Sequence, residues 1–157
     1  FVHSMGNQVL ASFMENYAGM DGGSPPLFDT LVLNAPDADL ADHRIWVERT
    51  DFAGRRYVLV NSGKDRMLQL STYLLDKPRL GRRLVHPDKR PEPLAKNAAY
   101  VDLVNLGVNH DYFYGEDLPP NLVTFYRRAF RAGEGDPLET DGMAPGGRAG
   151  LFLLLRP

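Results

Sequence analysis

The sequence predicts an α/β protein on a mostly parallel sheet with helices on both faces, a three-layer arrangement. Three observations carry this. Apolar runs without polar alternation, around 28–34, 56–61 and 100–106, read as strands covered on both faces. Stretches with apolar residues at helical spacing separate them, and strands alternating with helices imply parallel connections. Each run ends in a turn with a polar, reactive side chain, as expected where function collects at the carboxyl ends of parallel strands.

The chain opens with Phe1-Val2-His3-Ser4-Met5-Gly6-Asn7. A short apolar stub, a serine, a glycine two positions on and then helical periodicity describe a strand, a sharp turn and a helix that lift the Ser4 hydroxyl above the sheet edge. The crowded turn wants a residue without a side chain, which Gly6 supplies. Free N–H groups at the helix start favour negative charge developing nearby. A Ser-x-Gly pair alone is common, so its weight comes from its surroundings.

Val9, Leu10, Phe13, Met14 and Tyr17 share one helical face, Gly19 ends that helix, and Asp21-Gly22-Gly23-Ser24-Pro25-Pro26 is a loop. Phe28 to Asn34 is a strand stopped by Pro36, with Asp37 and Asp39 beyond it. Leu40 to Val47 is expected to be helical, broken by Gly54, and Arg56 to Asn61 is the next strand. The turn Ser62-Gly63-Lys64-Asp65 leads into a helix with Met67, Leu70, Ser71, Leu74 and Leu75, closed by Pro78. Residues 81–96, rich in Pro, Arg and Lys, read as irregular solvated surface. Tyr100 to Leu106 is the third strand, followed by a loop with His110. Pro119-Pro120 opens a helix with Leu122, Phe125, Tyr126, Ala129 and Phe130 on its apolar face. Residues 132–157 are expected to be irregular or peripheral, with Leu151 to Leu155 a terminal strand or a surface tail.

Composition narrows the function. The length of 157 residues suits one domain, and no repeat or linker divides it. A net charge of −2 gives no electrostatic reason for a nucleic-acid partner. No apolar run approaches the roughly 18 residues of a membrane span. The absence of cysteine removes disulfides, thiolate metal sites and a cysteine nucleophile. His3, His43, His86 and His110 are scattered singly, without metal-ligand spacing, so neither a metal nor another cofactor is expected.

What remains is nucleophilic chemistry. The turn residues run in the order Ser4, then Asp37, Asp39 and Asp65, then His110, the chain order of a serine, acid, base triad. A hydroxyl needs a base to take its proton as it attacks, an imidazole suits neutral pH, and a carboxylate must hold the imidazole in the productive tautomer. On the residues alone Asp37, Asp39 and Asp65 are all candidate acids, Asp65 could simply cap the following helix, and Ser4 could be a helix cap too. His43 and His86 are expected at the surface, and His3 is expected to pack beside the turn.

Four stretches make the likeness specific: His3-Ser4-Met5-Gly6-Asn7; Asn34-Ala35-Pro36-Asp37-Ala38-Asp39; Ser62 to Leu68 with Pro78-Arg79-Leu80-Gly81; and Asn109-His110-Asp111-Tyr112-Phe113. Over about positions 1–115 the chain resembles the C-terminal half of an α/β-hydrolase, and more closely an uncharacterised bacterial group of the esterase/lipase superfamily. The resemblance implies Ser4 as nucleophile, Asp65 as acid and His110 as base, with a small-molecule acyl ester as substrate and the Met5 N–H as one oxyanion donor. Val2 departs from the glycine of the general signature. The stub before Ser4 is shorter than a strand, so 1–157 is expected to be the C-terminal part of one hydrolase domain. A preceding segment or another chain would then complete the sheet and supply the second oxyanion donor. The competing expectations are a catalytically silent binding or scaffold domain, and an acyltransferase or peptidase on the same residues.

Overall fold

Val32, Leu33, Val58, Leu59 and Val60 are all fully buried, which is why their segments show no polar alternation. They lie in the central strands of a six-stranded sheet. The computed structural model describes residues 1–19, 24–62, 64–85, 88–131 and 133–156. In chain order the elements are β1 (Val2–His3), α1 (Gly6–Asn16), β2 (Phe28–Asn34), α2 (His43–Glu48), β3 (Ala53–Val60), α3 (Arg66–Leu75), β4 (Ala99–Asp102), α4 (Pro120–Phe130), β5 (Met143–Pro145) and β6 (Leu151–Leu154). The sheet order is β1-β2-β3-β4-β6-β5, parallel throughout except for the antiparallel β5–β6 pair.

Successive strand residues point to opposite faces, and two cores result. On one face Leu31, Leu33, Val58, Val60 and Tyr100 pack with Met14 of α1 and Trp46 and Val47 of α2. On the other, Val32, Tyr57, Leu59, Val101 and Leu154 pack with Leu68 of α3 and Leu122, Phe125 and Ala129 of α4. Truncating a fully buried ring such as Phe125 in a core of this kind costs about 3–5 kcal/mol. The structure is thus the three-layer, mostly parallel sheet expected.

Several local expectations are corrected. Residues 143–154 are neither irregular nor peripheral, and of the two readings of the Leu151 run the strand holds: β6 pairs in parallel with β4, Tyr100 opposite Leu151 and Asp102 opposite Leu153, and Leu154 is fully buried. The glycines that suggested looseness turn the β5–β6 hairpin, where Gly146 N–H donates to the Leu151 carbonyl at 2.8 Å. Gly54 lies inside β3 rather than breaking a helix. The segment expected to be helical from Leu40 is so only from His43, and His43 is fully buried rather than at the surface. The third strand ends at Asp102, and Val104–Leu106 form a 3-10 turn. Residues 21–23 of the first loop, Gly63 and His86 lie outside the described residues.

Candidate active site

Ser4 leaves β1 with φ of 51°, in the left-handed region that a residue with a Cβ rarely adopts. Such a conformation costs on the order of 1–3 kcal/mol and persists only where neighbours over-determine it. Here Ser4 N–H donates to the Asn34 carbonyl at 3.0 Å, while the Ser4 carbonyl accepts Asn7 N–H at 3.0 Å and Asp37 N–H at 3.2 Å. The buried Asn7 amide adds a bond to the same carbonyl at 3.1 Å and one to Val2 at 3.3 Å. A Cβ at Gly6 would stand 3.3 Å from Val2 Cγ1, so the bare glycine accommodates the valine that replaces the signature's glycine.

Asp65 is buried at the head of α3 and divides its two oxygens. Oδ1 accepts the Leu68 N–H at 2.9 Å, capping the helix, and Oδ2 takes His110 Nδ1 at 2.7 Å. His110, on the loop after β4, is itself buried and turns Nε2 to Ser4 Oγ at 3.0 Å. The structure therefore brings Ser4, His110 and Asp65 together, and one Asp65 carboxylate both caps α3 and binds His110 Nδ1. The Asp65 hydrogen bond raises the His110 pKa above 6.5; burial opposes it, while the charges of Asp65, Asp111 and Asp37 reinforce it.

The other two candidate acids are engaged elsewhere. Asp37 Oδ1 accepts Arg79 Nε at 2.6 Å and Ser71 Oγ at 2.7 Å, in a buried ion pair. Asp39 meets Lys77 Nζ at 2.8 Å and the Ala41 N–H at 3.0 Å. The Asp37 turn is clamped by the 3-10 turn Leu80–Arg82, where Gly81 N–H donates to the Pro36 carbonyl at 2.8 Å. A Cβ on Gly81 would fall 2.6 Å from the Ala35 and Pro36 backbone, so no other residue fits there.

Met5 caps α1 with an exposed side chain. Among the described residues no acceptor takes the N–H of Met5 or Gly6, which leaves two donors in the turn that follows Ser4. His3 packs against His110, the two ring centroids 4.8 Å apart and the planes tilted. No group of three or more potential metal ligands occurs among the described residues, and no described helix is long and apolar enough to cross a membrane.

Sequence reasoning missed Asn7 and Asn34, whose importance depends on strand register, and Arg79, whose partner is 42 residues away. It also missed a groove of about 350 Å³ running from Ser4 past Met5, Met67, Leu70, Leu74 and Leu75. The signal was present: α3 has apolar residues around most of its surface, yet only Leu68 is fully buried.

A family model described as alpha/beta hydrolase of unknown function (DUF900) matches residues 1–123. No curated protein and no solved structure matches the chain.

Proposed function

The chain belongs to an alpha/beta hydrolase family of unknown function (DUF900), and from that premise we propose that it is a carboxylesterase-like serine hydrolase acting on small acyl esters through an acyl-enzyme. The observation that carries this reading is the continuous relay from Ser4 Oγ to His110 Nε2 at 3.0 Å and from His110 Nδ1 to Asp65 Oδ2 at 2.7 Å.

The chemistry follows from that relay. Asp65 accepts the Nδ1 proton and leaves the Nε2 lone pair facing the hydroxyl. As Ser4 Oγ attacks the ester carbonyl, its proton passes to Nε2, and the imidazolium gains stability from the Asp65 carboxylate. The tetrahedral oxyanion forms where the Met5 N–H can donate to it, at the positive end of α1. Collapse expels the alcohol, which takes the Nε2 proton, and leaves an ester on Ser4. Water repeats the sequence: its proton goes to Nε2, its oxygen bonds to the acyl carbon, and Ser4 Oγ leaves with the proton returned. The groove lined by Met5, Met67, Leu70 and Leu74 offers the apolar part of the substrate a site continuous with the nucleophile.

A fluorophosphonate probe tests the reading on the full-length protein. Labelling that vanishes in Ser4→Ala, with turnover of aryl esters, is expected. A folded wild-type protein that neither labels nor turns over esters would be a silent hydrolase-fold binding domain, and the proposal would fall.

A further inference from the structure

The imidazole of His3 lies against that of His110, the ring centroids 4.8 Å apart and the planes tilted by 49°. Phe113 covers another side of it at 4.4 Å. In the proposed reaction His110 takes up a proton, and a second imidazolium at this distance would oppose that uptake.

The hydrogen bonds around His3 decide its protonation. Strand register sets it opposite Asn34 of β2, and Asn34 Nδ2 and His3 Nδ1 are 3.1 Å apart. Asn34 is fully buried, and its Oδ1 accepts the Tyr126 hydroxyl of α4 at 2.6 Å. Tyr126 has no other hydrogen-bond partner among the described residues. Burial pushes its phenol well above 10, so it keeps its proton, which has only the amide oxygen to go to. The amide oxygen therefore faces Tyr126 and the amide NH2 faces His3. An NH2 only donates, so His3 Nδ1 must accept and the ring proton sits on Nε2. Protonating Nδ1 would set N–H against NH2. The Asn34 carbonyl, which favours a ring proton, already accepts Ser4 N–H at 3.0 Å and the Asn7 amide at 3.5 Å.

We propose that the Tyr126–Asn34–His3 chain is a tautomer lock that keeps His3 neutral against His110, making His3 a positioning residue for the base. This role rests on the reading of Ser4, His110 and Asp65 as the reacting groups. The titratable groups facing His3 are His110 and Asp111 from the loop after β4 and Asp65 from the head of α3. Burial, then the His110 charge, lower the proton affinity of His3, while Asp111 and Asp65 raise it. Two carboxylates nearby invite a cation at His3; the lock removes the nitrogen that would carry it.

Nitrogen-15 NMR of the imidazoles in the full-length protein, with kcat/KM measured against pH, tests this. In the wild type His3 is expected to stay in the Nε2–H form from about pH 8 to about 5.5, with a one-proton acid limb in kcat/KM. Tyr126→Phe frees the Asn34 amide to turn its oxygen to Nδ1–H. His3 then takes up its proton at a higher pH than in the wild type, and the acid limb gains a second proton, a further loss of about tenfold one pH unit below the His3 midpoint. Adding His3→Asn to Tyr126→Phe should return the limb to one proton, a rescue that a merely structural Tyr126 would not give. A wild-type His3 that titrates near 6.5, or holds its proton on Nδ1, overturns the lock whether or not the variants fold. So does Tyr126→Phe with an unchanged His3 titration. A locked His3 in a protein without ester hydrolysis supports the lock and overturns the esterase reading instead.

Discussion

Asp65→Asn separates the two functions that the Asp65 carboxylate combines. The replacement keeps the shape, and Asn is as good a helix cap as Asp, so its oxygen can still accept the Leu68 N–H now held at 2.9 Å. The amide nitrogen must then face His110 Nδ1, where the Oδ2 atom now sits at 2.7 Å. An NH2 there donates to Nδ1 and drives the ring proton to Nε2, which can no longer accept from Ser4. Enforcing the wrong tautomer of a catalytic histidine costs about 10⁴ in kcat, or roughly 5.5 kcal/mol of barrier. Stability should barely move, because the cap survives. Asp65→Ala loses the cap as well, about 1 kcal/mol, which for a chain of this size lowers Tm by about 2–4 °C. The assay is kcat for an activated ester in the full-length protein, paired with thermal unfolding of the same preparations. The Asp65 bond is the first cause of the raised His110 pKa, so the acid limb of the residual Asp65→Asn activity should move to lower pH. Asp65→Asn within about tenfold of wild type, with Asp37→Asn inactive, would refute the assignment and move the acid one strand earlier.

Three further outcomes are expected. Leu70→Ser with Leu74→Ser, on the groove beside Ser4, should lower kcat/KM for an octanoyl ester about tenfold relative to an acetyl ester, and equal losses for both would take the acyl chain out of that groove. Asp37→Ala leaves the buried Arg79 guanidinium without its carboxylate and should cost about 3–5 kcal/mol in urea unfolding, whereas Lys77→Ala at the exposed Asp39 pair should leave the midpoint unchanged; similar effects from the two would mean the Arg79 pair is solvated. Burial depresses the His43 pKa below 6.5, so below that pH the unfolded chain binds a proton that the folded chain refuses. Stability from this residue is complete above 6.5 and is lost as pH falls, by up to about 1.4 kcal/mol per pH unit. His110, with a raised pKa, contributes in the opposite sense, losing stability as pH rises through its folded value. The test is therefore the difference between wild type and His43→Gln, which should shrink between about pH 6.5 and about 5; a parallel pair of stability curves would contradict it.

The central strands were legible because burial on both faces leaves a mark in the residues themselves. Phe28–Asn34 is bounded in the structure as Phe28, the apolar run Leu31-Val32-Leu33 and Pro36 suggest. The edge beyond β4 was legible only in part, for a physical reason. The apolar run from Leu151 reads equally as a terminal strand or a surface tail, and pairing with β4 makes it β6, while β5, three residues ending in Pro145, is a strand only through its pairing with β6. His43 was misplaced for a similar reason: a histidine in a six-residue helix carries no sign that its Nδ1 will reach the Leu40 carbonyl in the interior. At the site, Ser4, Asp65 and His110 stood out as polar residues at strand ends, whereas Asn34 sits inside an apolar run and only the β1–β2 register gives it a partner.

That contrast says how the site is held. Ser4, Asp65 and His110 lie on three turns after β1, β3 and β4, and none is fixed by its own turn alone. Asp65 Oδ1 is bound to the first turn of α3, so the orientation of Oδ2 depends on that helix being formed. Tyr112, fully buried two residues after His110, donates its hydroxyl to the Leu59 carbonyl at 3.1 Å and accepts the Ala35 N–H at 2.8 Å, tying the histidine loop to β3 and to the turn after β2. The Ser4 carbonyl is bound by Asp37 N–H from that same turn at 3.2 Å. The Ser4 turn, the turn after β2 and the histidine loop are thus linked by hydrogen bonds across three strands. A left-handed serine costing on the order of 1–3 kcal/mol is tolerable only in such a frame, because relaxing Ser4 would break bonds to a turn that also holds the His110 loop.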